Sequence, residues 1–117
     1  MKLNKNNAGL LAEQMAATFL KQHGLKLVAQ NYHCRYGEID LIMKEDEVLV
    51  FVEVRLRTNQ HYGFAAESIS PKKQQKIIQT AQHFLMQHGE QACRFDAILM
   101  DKADQQHIEW IRHAFET

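Results

Sequence analysis

Three ionisable side chains stand inside the most apolar run of the sequence. In GEIDLIMKEDEVLVFVEVRLR, residues 37–57, Asp40, Glu53 and Arg55 interrupt stretches of Ile, Leu and Val. If this run folds as a hairpin about a turn at Asp46 and Glu47, Met43 faces Val50, Asp40 faces Glu53 and Glu38 faces Arg55. Facing side chains in an antiparallel pair lie about 4.5–5.5 Å apart at Cβ, and residues two apart along a strand share a face. Glu38, Asp40, Glu53 and Arg55 are therefore expected to form one polar cluster, leaving Ile39, Leu41, Val52 and Val54 on the opposite face. Two ionised carboxylates so close repel each other and drive one pKa upward. A hard divalent cation such as magnesium offsets that repulsion, because it takes carboxylate and carbonyl oxygens and keeps waters for chemistry. The plainer alternative is a cross-strand ion pair between Glu38 and Arg55, contributing about 0.2–1 kcal/mol.

A third acid and a set of cations can approach this cluster. Glu13 follows Leu10 by three residues and precedes Ala17 by four, at the margin of an apolar helical stripe from which it can reach a sheet. The alternative for Glu13 is an ordinary acid on a helix surface. Downstream, Ser70, Lys72, Lys73 and Lys76 surround the start of a second helix. The helix dipole disfavours cations in a first turn by about 0.3–1 kcal/mol each. An anion bound there reverses the penalty and also meets free N–H groups, so these four residues are candidates for holding a nucleic-acid backbone. A solvated lysine face is the competing reading. From Arg55 to Lys76 five basic side chains (Arg55, Arg57, Lys72, Lys73, Lys76) face the single acid Glu67.

The elements that must position these groups are legible from periodicity. Ala8, Leu11, Ala12, Met15, Phe19 and Leu20 recur at helical spacing up to about His23, and Gly24 follows as a stop. LKLVAQNY reads as a strand. Residues 38–44 and 47–56 are the strongest strands and are apolar on both faces, as in a sheet covered on two sides. Ser70 is placed to cap a helix with Pro71 at its first position and Gly89 at its end, and Ile77, Ile78, Ala81, Phe84 and Leu85 form its apolar face. RFDAILM and HIEWIRHAF supply two further strands, the first apolar enough to be central. The order α-β-β-β-α-β-β predicts an α/β fold with a mixed sheet packed between helices.

Composition bounds the function. A chain of 117 residues, 45% hydrophobic and 24% charged, fits one domain with one site. No apolar run reaches the roughly 18 residues that a membrane-spanning helix needs. The polar start MKLNKNNAGLLAEQ lacks the features of a signal peptide, so a cytoplasmic address is expected. Cys34 and Cys93 have no CxxC spacing, which argues against a zinc knuckle or a disulfide framework. His83 and His88 belong to no HExxH pattern, and there is no GxGxxG, Walker loop or nucleophile elbow. With 14 basic and 14 acidic side chains the net charge is zero, so any contact with nucleic acid must be local.

Taken in order, NAGLLAEQMAATFLKQHG, NYHCRYGEIDLIM, LVFVEVRLR, YGFAAESISPKK and CRFDAIL resemble the YraN-type uncharacterised bacterial proteins. That family is similar to Holliday-junction resolvases and other PD-(D/E)xK nucleases, and the likeness runs from about Gly9 to Phe115. It implies a restriction-endonuclease-like fold and a magnesium-dependent endonuclease, with manganese as a substitute ion, acting on DNA, preferably branched. On this resemblance Glu13 is the helix glutamate, Asp40 and Glu53 are metal-binding acids assisted by the Val54 carbonyl, and Arg55 occupies the usual lysine position. Arg57 and the lysines of the second helix would then grip flanking phosphates. Two departures stand out: Ala12 replaces a frequent glycine, and Arg55 replaces the lysine. An arginine stays protonated, so it can orient water or stabilise a phosphate but cannot accept a proton. Weakened catalysis would leave a module that binds DNA or repair proteins, and an ordinary ion-pair network would leave a protein-interaction subunit. A homodimer is expected only by analogy with resolvases, which cut a junction twice.

Overall fold

A computed structural model describes residues 7–57, 69–101 and 107–116. Helix α1 (Asn7–Gln22) is followed by strands β1 (Lys26–Cys34), β2 (Gly37–Glu45) and β3 (Val48–Arg57). Helix α2 (Pro71–His88) and strands β4 (Cys93–Asp101) and β5 (Ile108–Phe115) complete the order. Among the described residues the sheet has five strands in sequence order. Of these described pairs only β3–β4 is parallel, because α2 provides the crossover between them. The fold is thus α/β with a mixed sheet between two helices, the arrangement expected of a nuclease-like fold. No helix among the described residues is long and apolar enough to cross a membrane.

Local chemistry sets the element ends. Ser70 caps α2 by accepting a 3.1 Å hydrogen bond from the Lys73 N–H, with Pro71 at the first position, where its missing N–H costs nothing. Gly89 ends the helix at φ +97° and donates its N–H to the Leu85 carbonyl. The hairpin turns at Asp46, φ +54°, and pairs Met43 with Val50 as expected.

Two hydrophobic layers cover the sheet. Ala12, Ala16, Ala17 and Leu20 of α1 pack on Leu41, Met43, Val50, Val52, Ile98 and Met100. Ile77, Ala81, Phe84 and Leu85 of α2 pack on Ile39, Ile42, Leu49, Phe51, Phe95, Ala97 and Leu99. The α1 stripe differs from the expected one, since Leu11 is 46% exposed while Glu13 is 5% exposed. The buried line runs Ala12/Glu13, Ala16/Ala17, Leu20, which puts Glu13 within the inward face instead of at its margin.

One irregularity matters for function. Residues 39 and 41 should share a face of β2, yet Ile39 belongs to the α2 layer and Leu41 to the α1 layer. The expectation that Ile39 accompanies Leu41, Val52 and Val54 is therefore corrected. The break falls at Asp40. Opposite it, between the pairs Gln30–Leu41 and Tyr32–Ile39, Asn31 of β1 adopts φ +52°. The two strands shift phase together, and the β2–β3 ladder ends at Leu41–Val52.

Candidate active site

Where that ladder ends, β2 and β3 open a cavity of about 260 Å³. Glu13 enters it from α1, Glu38 and Asp40 from β2, Glu53 and Val54 from β3, and Lys73 from α2. Asp40 does not face Glu53 across a regular ladder as the hairpin register predicted. Instead its Oδ2 accepts a 2.9 Å hydrogen bond from the Val54 N–H, so a side chain takes the place of the next ladder bond. That bond fixes Asp40 beside the start of the divergent segment and directs the Val54 peptide. Glu53 keeps the phase of Phe51 and so belongs to the α2 side, which is how Lys73 reaches it. Side chains from both layers meet because the sheet no longer separates them at this point.

The electrostatics are those of crowded, dehydrated acid. Glu13, Asp40 and Glu53 are each less than a tenth exposed. Burial pushes the Glu53 carboxyl up to about 7, and the neighbouring Asp40 charge adds to the rise. Lys73 and Arg55 pull in the opposite direction without prevailing. Their contacts with Glu53 Oε2 are long, 3.7 Å from Lys73 Nζ and 3.4 Å from Arg55 Nη1. Charge-assisted hydrogen bonds of full strength run at about 2.7–2.9 Å, so these are loose pairings that an incoming ligand can exchange.

The oxygen donors suit a hard cation, since burial and the Asp40 charge both oppose ionisation of Glu53 and an added positive charge would favour it. Among the described residues, however, no three His, Cys, Asp or Glu side chains form a ready-made ion cage. Glu13, Asp40 and Glu53 share a cavity without converging on one point. Magnesium fits this arrangement, because it commonly uses one or two carboxylates and completes its shell with water and substrate oxygens. Size alone does not identify the site: a larger cavity, about 510 Å³ along α1 and Ile108, has no ionisable side chain among the described residues that line it.

The remaining candidate residues are dispersed. Ser70, Lys72 and Lys76 lie exposed at the start of α2, Ser70 serving as its cap. Arg57 is committed elsewhere: its Nε donates to Asp101 at 2.8 Å and its Nη1 to Glu109 at 3.0 Å, tying β3 to β4 and β5. Asp96, which periodicity did not single out, is wholly buried and accepts from Arg94 Nε, Trp110 Nε1 and the His113 N–H, each at 3.0 Å. It pins β5 to β4 at the irregularity where His113 has φ +54°. The acid in an apolar run at RFDAIL was the available signal for that role.

Fold and site together define an α/β protein whose central strands part to deliver buried carboxylates to a cavity at the sheet's end. Residues 12–100 match the model of the uncharacterised protein family UPF0102. The chain belongs to that family, the YraN type. It is 53% identical over 111 residues to a UPF0102 protein of Nitrosomonas europaea, covering 94% of each chain. It is 54% identical over 104 residues to one of Methylobacillus flagellatus, covering 89% of this chain and 92% of the relative. With one of Nitrosospira multiformis the identity is 51% over 109 residues, 92% of each chain.

Proposed function

We propose that the protein is a metal-dependent endonuclease that hydrolyses DNA phosphodiesters and prefers branched DNA, in repair or recombination. The observation that carries this reading is that Glu13, Asp40 and Glu53, from three separate elements, line one cavity with dehydrated carboxylates. Asp40, Glu53 and the Val54 carbonyl would hold magnesium or manganese, with Glu13 placing a second ion or a water. A bound ion supplies Lewis acidity, which makes water a stronger acid and offsets charge building on the phosphate. The chain's own part is to hold these carboxylates dry, to fix Asp40 through the Val54 N–H, and to keep Arg55 beside Glu53. In the reaction a water oxygen bonds to phosphorus and the bond to the leaving sugar oxygen breaks; one proton passes to that oxygen and one to solvent. Ser70, Lys72 and Lys76 would hold flanking phosphates at the start of α2, so binding would be salt-dependent and largely blind to sequence. Arg57 contributes less to this grip than the sequence implied, since Asp101 and Glu109 hold it. A homodimer would let two copies cut the two strands of a junction.

Arg55 favours a second reading, a catalytically weak module that docks on branched DNA or on repair proteins, since it cannot accept a proton. The experiment is cleavage of labelled four-way junctions, flaps, duplex and single strands with magnesium, manganese or chelator, beside Asp40→Asn and Glu53→Gln. The nuclease reading requires ion-dependent cutting that both substitutions abolish. Metal-independent binding without cutting selects the module instead.

A further inference from the structure

The cavity contains a cation that the E-x-R motif does not supply. Arg55 touches Glu53 but is not among the residues lining the cavity, whereas Lys73, from α2, lines it beside Glu13, Asp40 and Glu53. The Lys73 side chain is 44% exposed and that of Glu53 8%, so the ammonium stands at the mouth and the carboxylates form the floor. Helix physics does not account for a lysine here. Lys73 is the third residue of α2, where a glutamate or glutamine usually bonds back to the cap and where the dipole opposes positive charge. What the position offers is reach: the cap bond from the Lys73 N–H to Ser70 fixes the backbone, and the side chain extends across the opened sheet to Glu53.

We propose that Lys73 is the cation that faces the scissile phosphate, filling from α2 the charge-stabilising place that the motif position, held by Arg55, leaves outside the cavity; this rests on the nuclease reading. Lys73 gives up no proton. Its ammonium neutralises charge on the non-bridging phosphate oxygens, and in exchanging Glu53 for phosphate it frees that carboxylate to hold the ion. Lys72, exposed and absent from the cavity wall, is a flanking contact and provides the internal comparison.

The test uses the full chain with Lys73→Met, Lys73→Arg and Lys72→Met, each checked for folding by thermal melting. On a four-way junction with magnesium, Lys73→Met is expected to lower kcat about 100-fold or more with KM changed less than about threefold, the scale of losing one transition-state charge contact. Lys73→Arg, which keeps the charge, should recover part of that loss. Lys72→Met should raise KM and flatten its salt dependence while kcat holds. If Lys73→Met shifts only KM and the salt slope, Lys73 is a flanking contact and the proposal falls, with the nuclease reading intact. A second readout needs no DNA: calorimetric titration with magnesium should show severalfold tighter binding in Lys73→Met, because a cation competing for Glu53 is gone. Equal or weaker binding in the variant overturns the proposal alone, and no ion binding in either protein removes it together with the nuclease reading.

Discussion

Replacing Glu53 by glutamine should make the ion-free protein more stable at alkaline pH, although the residue is buried and central. Its carboxyl titrates near 7 in the folded chain instead of 4.5, through burial first and the Asp40 charge second. The folded state therefore holds a proton between pH 4.5 and 7 that the unfolded chain has released. Stability from this group is fully present below about pH 4.5 and is lost as pH rises through about 7. At 1.36 kcal/mol per unit, the ionised carboxylate costs about 3 kcal/mol at pH 8. Glutamine keeps the shape and removes the charge, but it also forgoes the loose contacts with Arg55 and Lys73. The net gain expected is about 1–3 kcal/mol, or roughly 4–12 °C in Tm for a chain of this size. Thermal melts of both proteins in chelator from pH 4.5 to 8.5 measure it: the curves should nearly coincide at the acid end and diverge toward pH 8. Magnesium at about a hundred times its Kd should stabilise the wild type by about 2.7 kcal/mol and leave the variant nearly unmoved. A Glu53→Gln protein that melts lower than wild type at pH 8 in chelator, or by an amount independent of pH, would refute the picture of a crowded, dehydrated carboxylate.

Other substitutions probe the supports of the site. Asp96→Ala removes an acceptor shared by Arg94, Trp110 and the His113 N–H, and should cost about 3–5 kcal/mol in urea unfolding, as for other broken buried ion pairs. Arg57→Met removes the ion pairs to Asp101 and Glu109 and should lower stability by about 1–3 kcal/mol, while the salt slope of DNA binding falls by less than it does on loss of an α2 lysine. Ser70→Ala removes the cap of α2 and should cost about 1 kcal/mol, read from the same denaturation curves.

Much of this molecule is written in short-range pattern. The ends of α2 follow from Ser70, Pro71 and Gly89, each of which acts on backbone groups within a few residues of itself. The hairpin register from Glu45–Val48 to Leu41–Val52 follows from alternating apolar residues about a two-residue turn. The acids at positions 13, 40 and 53 could be singled out because charge inside an apolar pattern is conspicuous wherever the pattern is regular. What failed was extrapolation of regularity itself. Two-residue periodicity predicted Asp40 facing Glu53 and Ile39 beside Leu41, but β1 and β2 change phase together at Asn31 and Asp40.

The sequence by itself determined which segments are helix and strand, where they stop, and which side chains are too polar for the layers they enter. Only the tertiary structure decided that Arg57 is held by Asp101 and Glu109, 44 and 52 residues away, and that Lys73 reaches Glu53. Periodicity is a property of neighbours along the chain, so it records which face a residue turns to. Which distant charge waits on that face depends on how the sheet twists, shifts phase and opens, and those are fixed by packing both helices on it at once.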